Sequence, residues 1–184
     1  MQFETRLEHK FCQFQTDVVL GDDLVIAGCA SRFGIVDQGG DIVQKGAYAA
    51  SLRRLASEGR QIKMLWQHDP AQPIGVWDEV REEDQGLYVK GRLLGNVARA
   101  REAAALIGAG AIDGLSIGYR TLRAAKTNKG HRLLTELELW EVSVVTFPML
   151  PDARVGAKQE TLEARTLRDV ALTFEAARQE LARM

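Results

Sequence analysis

One serine of this chain stands between two glycines, in the segment IDGLSIGYR at residues 112–120. Gly114-Leu-Ser116-Ile-Gly118 fits the G-x-S-x-G pattern of the nucleophile elbow in α/β-hydrolases. A serine hydroxyl is a poor nucleophile at neutral pH, so it needs a base within hydrogen-bond reach and a third group that orients the base. The chemistry of Ser116 therefore depends on which residues could serve it.

The chain has three histidines, and one of them has a local sequence that favours a fixed side chain. His9 lies in the charged segment RLEHK and His131 follows a basic loop, so both are expected to be solvated surface residues. His68 follows the apolar run MLW and precedes Asp69-Pro70, which places it at the end of a strand. Its local sequence fits a general base and a turn histidine bonded to backbone equally well.

The order of residues along the chain argues against an α/β-hydrolase. That fold orders its triad serine, acid, histidine, whereas the one histidine after Ser116 is His131, with no Asp or Glu between them. A nucleophile elbow also has a strand before the serine and a helix after it, but here a helix is predicted at 96–110 and a strand follows. The order that remains is histidine, serine, acid, with His68 as base and Ser116 as nucleophile.

The acid is expected in the segment ELELWEVSVV, which offers Glu136, Glu138 and Glu141. Glu136 and Glu138 alternate with leucines, the pattern of a half-buried strand with a solvated face. Glu141 breaks this alternation and opens a more apolar run, where an unpaired buried carboxylate would be costly. His68 could be its partner; the alternative is a strand-edge glutamate that faces water or an arginine.

An acyl-transfer site also needs hydrogen-bond donors for the developing oxyanion. The backbone amides near Gly114, Ile117 and Gly118 are candidates, as are those of a facing loop. Glycine at 114 and 118 would let backbone and substrate approach the serine closely. The alternative is that the two glycines relieve crowding in a strand.

The elements that must position these residues are predicted to be mainly strands. The glycine-rich segment 34–46 is predicted to form turns, and Pro70 is predicted to end regular pairing of the strand before it. Apolar runs bounded by turn residues predict strands at 23–33, 61–67, 114–123, 132–139 and 141–147, and a hairpin at 74–94. Helices are predicted at 47–59 and 96–110.

The composition excludes several classes of function. The net charge of −1 gives no global field that favours nucleic acid, and few aromatic residues accompany the one basic cluster. That cluster is interpreted as a solvated hairpin tip, and its members are Arg120, Arg123, Lys126, Lys129 and Arg132. No apolar run reaches the roughly 18 residues of a membrane helix. No metal or other cofactor is expected, because His68 and Asp69 have no further ligands at recognisable spacing.

The chain is long enough for one domain with a sizeable core, since it has 184 residues. We divide it into a domain at 1–156 and a tail at 157–184. A proline-marked linker leads into the tail, which is predicted to be an amphipathic helix because apolar residues follow 3-4-3-4 spacing. The helix could bind a partner helix, bind a second copy of the chain, or pack on its own domain. The absence of an apolar export signal predicts reduced cysteines in the cytoplasm.

Three stretches together resemble the prohead proteases of tailed bacteriophages, the serine proteases that mature icosahedral capsids. They are LWQHDPAQPIGVW at 65–77, IDGLSIGY at 112–119 and LWEVSVVTFPMLPDARV at 139–155. The resemblance extends over about 24–156 and includes GDIVQKGAYAASL at 40–52. One departure is PMLPDA, since the family often has a small residue and asparagine after the first proline.

The resemblance implies a fold and a set of roles. The fold would be a compact antiparallel β-barrel flanked by helices (α+β), like the herpesvirus assembly proteases. His68 matches the family's base, Ser116 matches its nucleophile, and Glu141 falls where the third member is expected. The herpesvirus enzymes use a second histidine in that third role, so an acid departs from them.

The resemblance also implies partners and a place of action. The substrates would be the chain itself, an internal scaffold and the N-terminal region of the major capsid protein, within an assembling prohead in the bacterial cytoplasm. The C-terminal helix could also support a homodimer or a larger oligomer. Neither nucleic acid nor membrane is an expected partner. The alternative is a non-catalytic capsid-assembly or scaffold protein on the same fold.

Overall fold

The computed structural model describes residues 8–12, 24–37 and 39–146, and these form one sheet with two helices. The strands are β1 Glu8–Cys12, β2 Val25–Arg32, β3 Asp41–Val43, β4 Lys63–Trp66, β5 Asp69–Glu82, β6 Gly86–Leu93, β7 Gly114–Lys126 and β8 Arg132–Val145. The helices are α1 Ala49–Ser57 and α2 Ala98–Gly108. Within this part of the chain neither helix is long and apolar enough to cross a membrane.

The strands pair in the order β1-β7-β8-β4-β5-β6-β2, and β3 pairs with β8 outside this path. Most neighbours are antiparallel, but β3 and β4 both run parallel to β8. They pair with successive parts of β8, because α1 connects them as a crossover and returns the chain in the same direction.

The predicted compact antiparallel β-barrel is only partly right, because the barrel is not closed. The sheet is a curled half-barrel, since β1 and β2 end the pairing path and no ladder joins them in the described residues. Closure would require those two edge strands to pair. The mainly β class with few helices is confirmed, whereas the relation to herpesvirus proteases stays a prediction.

Most predicted elements are present, with shifted ends. The β5–β6 hairpin and both helices form where the apolar patterns place them, but β3 lies within the segment predicted as turns. The prediction that Pro70 ends regular pairing is only partly right, because β5 already begins at Asp69. The β4–β5 register jumps from Trp66 opposite Asp69 to Leu65 opposite Pro73. Pro70 lies in this irregular stretch, where a missing backbone donor is tolerated.

The hydrophobic core collects buried side chains from the strands and from the inner faces of both helices. Its largest fully buried members include Tyr48, Ile74, Ile107 and Leu137. The indole of Trp77 lies among them and donates a hydrogen bond of 3.2 Å to the carbonyl of Val142 on β8. The domain boundary predicted at 156 and the predicted C-terminal helix lie outside the described residues.

Candidate active site

Ser116 lies near the start of β7, and β7 pairs with β1 on one side and with β8 on the other. Leu115 and Ile117 on either side of it belong to the core, so Ser116 points to the opposite face of the strand. Its side chain is fully buried, at 0% exposure. Because β7 continues through Lys126, the serine is not at a strand-to-helix turn, which agrees with the rejection of an α/β-hydrolase.

His68 lies in a tight turn between β4 and β5. Trp66 pairs with Asp69, so Gln67 and His68 form a two-residue hairpin loop. Both have left-handed backbones, with φ of 52° and 61°, where a residue with a side chain costs about 1–2 kcal/mol. Such strain persists where the surroundings over-determine the conformation, and it is concentrated at functional sites.

The strained turn is held against the end of β8. The backbone amide of Gln67 donates to the carbonyl of Val144 at 3.0 Å. The side-chain amide of Gln67 donates to Oγ1 of Thr146 at 2.6 Å, and the backbone amide of Thr146 donates to its Oε1 at 3.3 Å. These contacts explain how a turn without glycine keeps His68 in place.

The structure brings together the three residues singled out by chain order. Nε2 of His68 lies 2.6 Å from Oγ of Ser116, and Nδ1 lies 2.5 Å from Oε1 of Glu141. An ionised carboxylate only accepts hydrogen bonds, so Nδ1–H donates to Glu141 and Nε2 of the neutral ring accepts from the serine. The side chains of His68 and Glu141 are 14% and 6% exposed, which shields the chain of hydrogen bonds from water.

Glu141 reaches this face through an irregularity in β8. Leu139 and Val142 both belong to the core, although strict alternation along a strand would not place both on one side. The β7–β8 register skips Trp140, which is therefore the extra residue of a β-bulge. Without the bulge, Glu141 would share the core-facing side of Leu139; with it, Glu141 lies on the side of Ser116.

Gly118 makes room for the carboxylate. It pairs with Glu141 across the β7–β8 ladder, and a Cβ atom at this position would lie 2.9 Å from both Cγ and Cδ of Glu141. Real Cβ atoms do not approach that closely, so a larger residue would displace the glutamate. The sequence assigned the space at Gly118 to backbone and substrate approaching the serine, whereas in the structure the side chain of Glu141 lies against Gly118.

Ser143 is the member of this cluster that sequence reasoning missed. Its hydroxyl donates to Oε2 of Glu141 at 2.5 Å and accepts the backbone N–H of His68 at 3.2 Å. It is 0% exposed and pairs with Ser116 across the ladder. A polar residue two positions after Glu141 in an otherwise apolar run shares its face of the strand, and that signal could have found it.

The other acidic candidates have different partners. Glu138 forms ion pairs with Arg54 and Arg120, and Glu136 pairs with Arg123 at 3.0 Å. The carboxylate of Asp69 accepts a hydrogen bond of 2.8 Å from the backbone amide of Ala71, on the same strand. Asp69 therefore stabilises the irregular start of β5.

Carboxylates also engage three members of the basic cluster. Arg120 and Arg123 pair with glutamates of β8, and Arg132 pairs with Asp41 of β3 at 2.6 Å. Guanidinium groups held by carboxylates on the same surface are poorly placed to neutralise phosphates. These surface ion pairs fit the interpretation of the cluster as a solvated hairpin tip, and the expectation that the chain does not bind nucleic acid stays a prediction.

The predicted donors for an oxyanion lie within the sheet. Residues 115–118 of β7 pair on one side with β1 and on the other with β8, so their backbone groups take part in ladders. The side chain of Ile117 belongs to the core. The supporting role predicted for Gly114, Ile117 and Gly118 stays a prediction.

The chain matches a family model described as caudovirus prohead serine protease, over residues 13–168. It is also similar to a prohead protease of Enterobacteria phage HK97, with 31% identity over 153 residues, which are 82% of this chain and 67% of that protein. Both findings confirm the resemblance stated from the three stretches.

A solved structure supports the fold. The capsid assembly protease of bacteriophage T4 superposes with a TM-score of 0.66 over 79% of this chain and 100% of that chain. The two sequences are 19% identical in this comparison, so the similarity concerns the arrangement of the backbone.

Proposed function

Because the chain belongs to the caudovirus prohead serine protease family, we propose that it is a serine endopeptidase in which Ser116 is the nucleophile, His68 the general base and Glu141 the orienting acid. The observation that carries the assignment is the continuous hydrogen-bond chain from Ser116 through His68 to Glu141, at 2.6 Å and 2.5 Å. A nucleophile, its base and an orienting group in this geometry are the requirements of acyl transfer by serine.

The mechanism follows from which atom holds each proton. Nε2 of His68 accepts the hydroxyl proton as Oγ of Ser116 attacks a peptide carbonyl. The same nitrogen then returns the proton to the leaving amine, and an acyl-enzyme remains. Water attacks the acyl group with His68 again as base, which releases the new carboxyl end and restores the serine.

Glu141 acts through the histidine. Its carboxylate accepts Nδ1–H, which keeps the ring in the tautomer that leaves Nε2 free to take a proton, and it stabilises the positive charge of the imidazolium. The low exposure of the pair strengthens this interaction, because little water competes for the carboxylate. An acid as the orienting third residue differs from the herpesvirus enzymes, which use a second histidine in that role.

We propose that the substrates are the chain itself, the internal scaffold and the N-terminal region of the major capsid protein, inside an assembling prohead in the bacterial host. The family supports the setting, since its members mature proheads. Cleavage before assembly would destroy the building blocks, so activity has to follow incorporation.

The test is intact-mass analysis over time at neutral pH, with and without the cognate capsid protein. Wild-type chain is compared with Ser116→Ala and His68→Ala. We expect defined fragments from wild type only, and the fragment ends then give the cleavage rule. Intact wild type in solution and inside assembled proheads, indistinguishable from both variants, would favour the non-catalytic scaffold protein instead.

A further inference from the structure

A buried serine outside the proposed triad contacts two of its parts at once. The hydroxyl of Ser143 donates to Oε2 of Glu141 at 2.5 Å, while His68 uses the other carboxylate oxygen, Oε1. The same hydroxyl accepts the backbone N–H of His68 at 3.2 Å. One oxygen atom therefore joins the acid to the backbone of the base.

One of these two contacts holds the backbone of His68, and the other pairs the second carboxylate oxygen of Glu141. The backbone of His68 is left-handed, with φ of 61°, so it is held by its surroundings more than by its own preference. A buried carboxylate that lacks a partner for one oxygen is free to rotate or to draw in water, and both would weaken its hold on the imidazole. Ser143 prevents both by occupying Oε2.

We propose that Ser143 is a positioning residue that fixes the Glu141 carboxylate and the His68 turn relative to one another. It acts through Glu141 and His68 and needs no contact with substrate. This inference rests on the proposed function, since it matters for catalysis only if His68 and Glu141 are catalytic. Ser143 also pairs with Ser116 across the β7–β8 ladder. A change of its side chain therefore affects Ser116 as well as His68 and Glu141.

The test compares Ser143→Ala with Ser143→Thr, which restores the hydroxyl. The matched control is Ser51→Ala: Ser51 is also buried and its hydroxyl also accepts a backbone amide, that of Leu139 on β8 at 3.0 Å. Loss of a hydrogen bond to a charged group predicts that Ser143→Ala cleaves capsid protein about 10- to 100-fold more slowly, mainly through kcat. Ser143→Thr and Ser51→Ala are expected to stay within about 3-fold of wild type.

The second readout needs no cleavage. We expect the proton between Nδ1 of His68 and Glu141, which lie 2.5 Å apart, to give a downfield proton NMR resonance that is identified by its loss in His68→Ala. We expect Ser143→Ala to shift or broaden this resonance, and Ser51→Ala to leave it in place. A merely structural role for Ser143 would lower thermal stability without moving the resonance more than Ser51→Ala does.

The outcomes separate the two proposals. An unchanged resonance, or a wild-type cleavage rate, in Ser143→Ala overturns the positioning role. A moved resonance in a protein whose wild type never cleaves, even in proheads, overturns the proposed function while leaving the contact of Ser143 with the pair intact. A moved resonance with slowed cleavage, both restored by Ser143→Thr, supports the inference.

Discussion

At the scale of single residues, the candidate site is a cluster of buried polar groups that satisfy one another. Glu141 uses both carboxylate oxygens, one toward His68 and one toward Ser143. Ser116 completes the chain through Nε2 of His68. Because buried polar groups are costly when left unpaired, removing any one of them should affect the others.

The variant Glu141→Gln should separate the effect of the side-chain charge at this position from the effect of its shape. Glutamine keeps the size of the side chain but cannot stabilise an imidazolium, so we expect cleavage to fall about 100-fold or more, with the fold retained. Glu136→Gln is the matched control, since Glu136 pairs with Arg123 and is 30% exposed. It should cleave at nearly the wild-type rate in the intact-mass assay; equal effects of the two changes would argue against Glu141 as the acid.

Gly118→Ala should displace the carboxylate. The new methyl group would lie 2.9 Å from Cγ and Cδ of Glu141, so the glutamate has to move away from His68. We expect cleavage to fall at least about 10-fold, accompanied by destabilisation of about 1–3 kcal/mol from overpacking. Cleavage and chemical denaturation together check this, and Gly95→Ala is the control: this glycine is exposed, its φ lies outside the left-handed region, and a Cβ there would meet only a methyl group of Leu24, at 3.3 Å. An unaltered cleavage rate in Gly118→Ala would show that Glu141 tolerates the shift.

At the scale of elements, two irregularities position the site. The β4–β5 turn presents His68 from a strained two-residue loop, and the bulge at Trp140 rotates Glu141 out of the core-facing side of β8. Both irregularities meet at the same end of β8, where Gln67 contacts Val144 and Thr146. The site is therefore a property of how β4, β7 and β8 pair.

Gln67→Ala should loosen the turn that carries His68. It removes the side-chain contacts with Thr146 at 2.6 Å and 3.3 Å, which predicts a loss of about 1 kcal/mol in the free energy of unfolding. Cleavage should fall more than stability alone explains, because the histidine becomes less well placed. Gln61→Ala, at an exposed position before β4, is the control. Urea unfolding and intact-mass assays of both variants check this, and equal cleavage in the two would refute a role for the contacts between Gln67 and Thr146.

A pH-dependent contact lies at the turn of the β5–β6 hairpin, outside the proposed triad. There the hydrogen bond and charge of Lys45 lower the pKa of Asp84 below its ordinary value. A lowered pKa in the folded state means stabilisation that is present above the unfolded value and is lost as pH falls through the folded value. Lys45→Met should therefore raise the NMR titration midpoint of the Asp84 carboxyl, and an unmoved midpoint would mean that the pair does not persist in solution.

At the scale of the whole molecule, the sheet is open. Its path ends at β1 on one side and β2 on the other, and β1 covers the edge of the strand that carries Ser116. The backbone similarity to a solved capsid assembly protease agrees with this mainly β fold. We propose that the chain enters a prohead through segments beyond this sheet.

The predicted C-terminal helix is the segment that we expect to direct incorporation of the chain into proheads. Deletion of residues 160–184 is expected to abolish packaging into proheads, because the apolar stripe predicted there could bind a scaffold helix or a second copy. Particle composition, measured by mass spectrometry of purified proheads, checks this. A Ser116→Ala background keeps self-cleavage from confusing the result, and normal incorporation of the shortened chain would show that another segment directs incorporation.

The candidate catalytic residues and the family of the chain could both be predicted from the sequence alone. Three histidines and the order histidine, serine, acid left His68 and Ser116 as the candidate pair, and the broken alternation made Glu141 a candidate acid, with a strand-edge glutamate as the alternative. Helices and hairpins were also predictable, because they depend on residues close together along the chain.

Only the tertiary structure decided how those residues meet. The open sheet, the parallel pairing of β4 with β8 and the bulge at Trp140 depend on which distant strands become neighbours. Local periodicity carries no information about that choice, because the same alternation fits a strand in a closed barrel or in an open sheet. The contacts of Gly118 and Ser143 with Glu141 exist only across such pairings, which is why sequence patterns assigned Gly118 to another role and overlooked Ser143.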